Sequence, residues 1–215
     1  CLVGSEMCIR DRFYDYKKEG IWQLGEEAAA AANGQEPGDI KVQDVDGNGV
    51  ITTDDRIIYS QRPDVTFGFN NTFNYKGFDL SVFLYARLGQ WIAYDYNTTY
   101  RINALENGGN VDYWTPENPT NAFPRPNKSK SYTQVTYYST LKYEDGSFFK
   151  IRDITLGYTF KPELLKHLNL SRLRVYATAK NFFTFSKIDN YDPEQGGSIS
   201  FPMTKQLVFG LNVEF

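Results

Sequence analysis

The sequence has little of what most enzymes and disulfide-rich domains depend on. Both of its cysteines, Cys1 and Cys8, fall in the first eight residues, and His167 is its only histidine. A disulfide framework and a thiol nucleophile are therefore excluded from residue 13 onward. His167 directly follows Lys166, and nothing in the sequence places a nucleophile beside it. We accordingly predict no catalytic residues and no enzymatic activity.

Long apolar runs are also missing, as is any excess of positive charge. No apolar stretch approaches the roughly 20 residues that a membrane-spanning helix needs, which excludes a helical membrane protein. Membrane-spanning strands escape this test, because their apolar residues alternate with polar ones. The net charge of −3 provides no general attraction to nucleic acid, so we expect no nucleic-acid partner.

Aromatic residues, by contrast, are abundant. The chain has 16 tyrosines and 16 phenylalanines among its 215 residues. Soluble domains seldom need so many, whereas outer-membrane barrels place aromatic girdles at both membrane interfaces. The composition therefore favours a membrane β-barrel.

The last eleven residues show the pattern that dominates the chain. Between Lys205 and Phe215, apolar residues such as Leu207, Phe209 and Leu211 alternate with mostly polar ones. The period and the length fit a tilted membrane-spanning strand. A terminal Phe that closes such a strand resembles the end of bacterial outer-membrane barrels. Similar alternation predicts five further strands, at 13–23, 65–75, 78–88, 148–160 and 172–186.

The connections between the predicted strands alternate between short and long. The short ones are 76–77 and 161–171. The long ones are 24–64, 89–147 and 187–204. Outer-membrane barrels have the same asymmetry, with short periplasmic turns and long extracellular loops, so we predict an all-β fold in which about six strands form an antiparallel transmembrane β-barrel segment. Residues 1–12 fit none of this pattern and are interpreted as a non-native leader, which leaves 13–215 as barrel.

The segment 39–58 contains a twelve-residue stretch with the ligand spacing of an EF-hand calcium loop. Its predicted Ca²⁺ ligands are Asp44, Asp46, Asn48, the carbonyl of Val50, and Asp55. Gly49 stands where such a loop turns sharply, but Asp55 is shorter than the usual Glu at the last position. Because no pair of long helices flanks the loop, we expect a structural ion. The alternative is an Asx- and Gly-rich turn that holds no metal.

Six aromatic residues lie at or beyond the outer end of a predicted strand, namely Trp91, Tyr94, Tyr96, Tyr100, Tyr113 and Trp114. Rings in this position can stack on sugar faces or pack against peptide side chains. They can equally be girdle residues or anchors that pack a loop. Both interpretations remain open: contact with substrate or a partner, and packing within the chain.

The chain also carries distinctive runs of residues in a fixed order. They are Gly20–Glu27, Pro37–Lys41, the calcium-type loop, Phe67–Asn71, Tyr75–Leu80, Phe149–Arg152, Ala179–Asn181, Tyr191–Pro193 and the terminal Phe215. Together these runs resemble the carboxy-terminal region of SusC/RagA-type TonB-dependent transporters. The resemblance covers nearly everything from Phe13 onward.

The resemblance implies a barrel of about 22 strands that is closed by an amino-terminal plug. It also implies import of oligosaccharides or peptides across the outer membrane of a gram-negative cell, driven by TonB and assisted by a SusD-like lipoprotein lid. This chain would supply barrel wall in contact with outer-membrane lipid, while the plug and the TonB-contacting segment lie outside it.

One other class of protein fits the loop and the alternation. It is a secreted, calcium-stapled β-sandwich module that binds carbohydrate. A sandwich buries its apolar faces against a second sheet, whereas a barrel turns them towards lipid. The direction of those faces therefore distinguishes the two classes.

Overall fold

A computed structural model describes residues 12–103, 108–166 and 169–215. The strands are β1 (Arg12–Tyr16), β2 (Lys18–Ile21), β3 (Ile40–Val42), β4 (Arg56–Ser60), β5 (Val65–Tyr75), β6 (Phe78–Leu88), β7 (Trp91–Ala93), β8 (Tyr143–Asp145), β9 (Phe148–Thr159), β10 (Arg172–Ser186) and β11 (Gln206–Glu214). The two α-helices of the described residues are α1 (Glu27–Ala32) and α2 (Pro162–Leu165). Neither could span a bilayer.

Two predictions fall wholly or partly outside the described residues. The prediction for His167 lies wholly outside them, and the predicted leader lies outside them up to residue 11. Arg12, the last predicted leader residue, is already the first residue of β1, where it pairs with Ser60.

Five long strands form one antiparallel sheet in the order β11-β10-β9-β6-β5. Lys76 and Gly77 join β5 to β6, and their positive φ values of 48° and 90° suit a two-residue turn that matches the twist of the strands. After the long connection that follows β6, the chain returns as β9 directly beside it. The sheet confirms the strands predicted at 65–75, 78–88, 148–160, 172–186 and 205–215, to within one residue at each end.

The strand predicted at 13–23 is not part of this sheet, which is a correction. Its residues form β1, which pairs with β4, and β2, which pairs with β3, in separate two-stranded sheets. Lys17 lies between the two ladders, so the chain changes its pairing partner there. Within β2, Gly20 packs closely against Asn121. A Cβ atom at Gly20 would lie 2.7 Å from Asn121 Oδ1. Five of the six predicted strands therefore share the sheet in the described part of the chain.

The apolar face of β11 is not covered by the rest of the described chain. Leu207, Phe209 and Leu211 are 57%, 73% and 66% exposed. Phe73 on β5 and Leu156 on β9 are also more than half exposed. A β-sandwich would bury these side chains against a second sheet, so the exposed face opposes the sandwich interpretation.

The chain divides into two compact units. Residues 63–90, 146–195 and 200–215, which include the five-stranded sheet, form the unit that we call the sheet body. The second unit, the loop body, comprises residues 12–62, 91–145 and 196–199. Most of the loop body comes from the connections that the strand pattern predicts to be long, so these connections fold into a unit of their own.

The loop body has a hydrophobic core. Its buried members are Ile21, Ile40, Val42, Trp114 and Leu141. A neighbouring aromatic group centres on Tyr59, which stacks on Tyr143 with ring centroids 4.6 Å apart and meets Trp91 edge to face at 4.9 Å. These contacts join residues that are far apart in the sequence, which fixes the calcium-type loop and the aromatic segment in one unit.

Candidate functional site

The predicted calcium loop brings three of its carboxylates together. One oxygen of each of Asp44, Asp46 and Asp55 lies within 4.8 Å of the other two. Ca²⁺ binds oxygen ligands at about 2.3–2.6 Å, so oxygens at this spacing can share one ion. The set of hard, anionic donors fits the chemistry that the loop predicts.

Hydrogen bonds from backbone N–H groups give the loop its shape. The Asp44 carboxylate accepts from Gly47 at 2.8 Å and from Gly49 at 2.7 Å. Both glycines have positive φ, which side chains rarely allow. Asn48 Oδ1 accepts from the N–H of Val50 at 2.7 Å, so these two predicted ligands share the exposed turn of the loop. Such bonds leave each carboxylate oxygen of Asp44 a further lone pair for a cation.

Asp55 is the fully buried member of the cluster. It forms a capping box with Thr52 at the 3₁₀ helix Thr53–Asp55, in which Asp55 Oδ2 accepts from the Thr52 N–H at 2.7 Å. The other oxygen accepts from the N–H of Val45 at 2.7 Å. These bonds, above all the one from Thr52, lower the pKa of the Asp55 carboxyl. The loop is therefore closed by an ionised carboxylate that also stands at the last ligand position.

Three of the six aromatic residues predicted as contacts are buried in the loop body. Tyr94, Tyr100 and Trp114 are only 4–5% exposed. The Tyr100 hydroxyl donates to the carbonyl of Pro124 at 2.9 Å, and Trp114 Nε1–H donates to Gln23 Oε1 at 2.8 Å. Burial favours the packing interpretation for all three residues, and for Tyr100 and Trp114 the paired polar tips support it as well.

The other three aromatic residues are more accessible. Trp91 is half-buried against Tyr59. Tyr96 is also half-buried, and its hydroxyl donates to the carbonyl of Asn110 at 3.2 Å. Tyr113 is 44% exposed. Tyr96 and Tyr113 therefore remain the best placed of the six for contact with another molecule.

The sheet body contains a buried ion cluster that sequence reasoning did not identify. Lys150 on β9 is fully buried, and its Nζ donates to Asp192 Oδ2 at 2.6 Å and to Glu194 Oε2 at 2.7 Å. Arg152 Nη1 lies 3.2 Å from the other oxygen of Glu194. The cluster holds the 3₁₀ turn Pro193–Gln195 against β9. The only signal in the sequence was a lysine and an arginine at alternate positions, which does not indicate their partners.

A second charged pair crosses three strands of the sheet. Arg174 on β10 donates to both carboxylate oxygens of Asp79 on β6, from Nε at 2.9 Å and from Nη2 at 2.5 Å. Its side chain passes over β9 at Gly157, where a Cβ atom would lie 2.5 Å from Arg174 Nη2. The bidentate pair therefore requires a glycine at this position of the polar face.

Several known proteins are similar to this chain in sequence. No protein-family model matches the chain. TonB-dependent receptor P3 of Formosa agariphila is 31% identical over 229 residues, which cover 94% of this chain and 22% of that receptor. TonB-dependent receptor SusC of Bacteroides thetaiotaomicron is 31% identical over 181 residues, which cover 80% of this chain and 17% of SusC.

The solved structures give the same picture for the fold. The structure of the RagAB peptide transporter superimposes with a TM-score of 0.69 at 24% identity, over 94% of this chain and 23% of that one. The chain thus spans less than a quarter of the length of either receptor and of the matched transporter chain. The similarity covers the loop body as well as the sheet body, because it extends over nearly the whole chain.

Proposed function

By these similarities the chain belongs to the SusC-like TonB-dependent transporters, and we propose that it forms barrel wall in an outer-membrane nutrient importer. The observation that carries the proposal is the exposed apolar face of the sheet, including Leu207, Phe209 and Leu211. Exposed apolar side chains in this number are unfavourable in water but match the lipid-facing side of a barrel. We assign no catalytic step to the chain, since its relatives are named as receptors and transporters.

The cargo that we propose is an oligosaccharide or a peptide, captured with a SusD-like lipoprotein and moved with energy from TonB. One relative is SusC, and one similar structure is named as a peptide transporter. Uptake of labelled oligosaccharide and peptide mixtures by cells that carry the full-length gene tests this proposal. We expect uptake that stops when TonB is inactivated, and a lipoprotein that co-purifies with the transporter. Uptake that continues unchanged without TonB contradicts it.

We further propose that Asp44, Asp46 and Asp55 bind one structural Ca²⁺, with Asn48 and the Val50 carbonyl as further ligands. The ion would neutralise three carboxylates that lie within 4.8 Å of one another. Calorimetric titration of the full-length protein with Ca²⁺ should show one site. The double change Asp44→Asn and Asp46→Asn should lower the affinity of that site for Ca²⁺ tenfold or more. Asp54→Asn is the matched control, because Asp54 is a neighbouring acid outside the cluster. Equal titrations for all three proteins contradict the site.

Tyr96 and Tyr113 are the residues that we propose for contact with substrate or the lipoprotein lid. The exposed ring of Tyr113 supports this choice, as does the partial exposure of Tyr96. Tyr113→Ala in the full transporter should reduce uptake or co-purification of the lid. Tyr14→Ala, which removes another exposed tyrosine ring of the loop body, is the control. Unchanged uptake and unchanged lid association in Tyr113→Ala would remove Tyr113 from the proposal.

A further inference from the structure

A cavity of about 190 Å³ lies in the loop body beside the calcium-type loop. Strand β3, the segment just after α1, and the loop itself all contribute to its lining. Pockets for drug-sized ligands occupy about 300–1,000 Å³. This cavity therefore matches one monomer unit of a polymer rather than a larger ligand.

Gln35 gives the cavity a buried polar group without a partner. Its side chain lines the cavity and is 5% exposed, and among the described residues no donor reaches its Oε1. The backbone N–H of Gln35 donates to the carbonyl of Ala30 at 2.9 Å, which fixes the residue behind α1. An unpaired buried amide oxygen is unfavourable. A ligand hydroxyl is the kind of donor that this oxygen lacks.

The remaining lining combines ring surface with paired charges. Trp22 and Tyr137 contribute aromatic groups. Lys41 Nζ lies 4.7 Å from the Trp22 ring centroid, 3.0 Å from Glu26 Oε1 and 4.0 Å from Glu19 Oε2. The ammonium group of Lys41 and the carboxylate of Glu19 thus offer a donor and an acceptor at one edge of the cavity.

We propose that this cavity binds one sugar ring of a neutral oligosaccharide. A sugar ring has an apolar C–H face for the aromatic groups and hydroxyls that both donate and accept, which suits Gln35, Lys41 and Glu19. At the edge the charges of Lys41 and Glu19 compensate each other, and the one further carboxylate of the lining, Asp44, belongs to the cluster proposed to bind Ca²⁺. With that ion bound, the lining has no excess charge that would select the charged ends of a peptide. The inference rests on the proposed importer function and specifies the cargo class of that function.

Ligand-observed NMR on the full-length transporter tests the site, with glucose, galactose, mannose, xylose and the dipeptide glycylalanine as probes. We expect at least one of the sugars to bind and the dipeptide not to displace it. Gln35→Leu should weaken the sugar about tenfold, as expected for one lost hydrogen bond. Gln61→Leu makes the same chemical change outside the cavity and should leave the affinity unchanged.

A second variant guards against loss of folding in Gln35→Leu. The Glu19 side chain is 57% exposed, so Glu19→Gln should fold normally and weaken the sugar severalfold. Binding of no sugar, displacement by the dipeptide, or sugar binding that neither variant changes would each overturn the inference. These outcomes can be distinguished from failure of the importer proposal. TonB-dependent uptake without sugar binding in the cavity would refute only the sugar site. Sugar binding in the cavity without uptake would refute only the importer function.

Discussion

The two bodies of the chain use aromatic and charged residues in opposite ways. In the loop body, Tyr59 and Trp114 are 2% and 4% exposed and form cores. In the sheet body, Phe73 and Phe209 are 56% and 73% exposed, while the charged side chain of Lys150 is fully buried. The hydrophobic effect accounts for the arrangement in the loop body, since burial of apolar surface is the main driving force of folding in water. The second arrangement is what a wall between lipid and a polar interior requires.

The largest effect should come from Lys150→Met, which removes the buried cation of the sheet body. Asp192 and Glu194 would lose their shared partner, and breaking a buried pair in this way costs about 3–5 kcal/mol. The turn Pro193–Gln195 should then detach, and limited proteolysis between 187 and 204 should accelerate roughly a hundredfold. Lys180→Met is the control, because Lys180 is half-exposed and lies 4.0 Å from its partner carboxylate. Equal cleavage of both variants would show that the cluster does not hold the turn.

In the loop body the corresponding change is Ile40→Ala, which opens a cavity in the apolar core. Ile40 is 0% exposed, so we expect a loss of about 2–5 kcal/mol. Ile58→Ala removes the same atoms from a side chain that is 57% exposed and should cost well under about 1 kcal/mol. Hydrogen exchange of the loop body in the full-length protein measures both losses. Similar exchange in the two variants would contradict the assigned core.

A smaller effect is expected from Gly157→Ala in the sheet. The added Cβ would meet Arg174 Nη2 at 2.5 Å and Asp79 Oδ1 at 2.5 Å, which displaces the ion pair. We expect a loss of about 1–3 kcal/mol, seen as a lower temperature for the mobility shift of the barrel in detergent gels. Gly68→Ala is the matched control, because its Cβ would be 3.7 Å from the nearest atom, a ring carbon of Phe83. A shift of the same size in both would exclude the role of Gly157.

The strands of the sheet could be predicted from the sequence because their signal is local. Alternation and the turn at Lys76-Gly77 identify β5 and β6 without knowledge of the rest of the chain. The fold of the loop body and the ion cluster around Lys150 could not be predicted, because they depend on contacts over long sequence separations. Trp114, for example, donates to Gln23 across 91 positions, and Lys150 pairs with Glu194 across 44.

The candidate site shows the same limit. The spacing of Asp44, Asp46 and Asp55 was sufficient to predict that their carboxylates lie close together, because one short loop contains all three. For the aromatic set, position along the chain did not distinguish the buried Trp114 from the exposed Tyr113, its direct neighbour. Only the packing of the loop body separates the two residues.

The smallest effect concerns pH and the buried tyrosines of the loop body. Burial raises the pKa of Tyr59 above the value of about 10 that an unfolded chain gives. The stabilisation is therefore complete below about pH 10 and is lost as the pH rises through the higher, folded-state pKa. Tyr59→Phe should flatten the fall of the thermal midpoint between about pH 9 and pH 11. A slope that Tyr59→Phe leaves unchanged would contradict the link to burial.

The exposure of apolar side chains to lipid in the sheet body is tested most directly by spin labels at two neighbouring positions of β11. Leu211→Cys and Asn212→Cys, each in full-length protein in which any other cysteine is changed to Ser, would carry the label in lipid bilayers. Oxygen, which concentrates in lipid, and a water-soluble nickel chelate report the surroundings of each label. We predict that the label at 211 collides with oxygen and the label at 212 with nickel. Collision of both labels with nickel alone would contradict a lipid-facing wall.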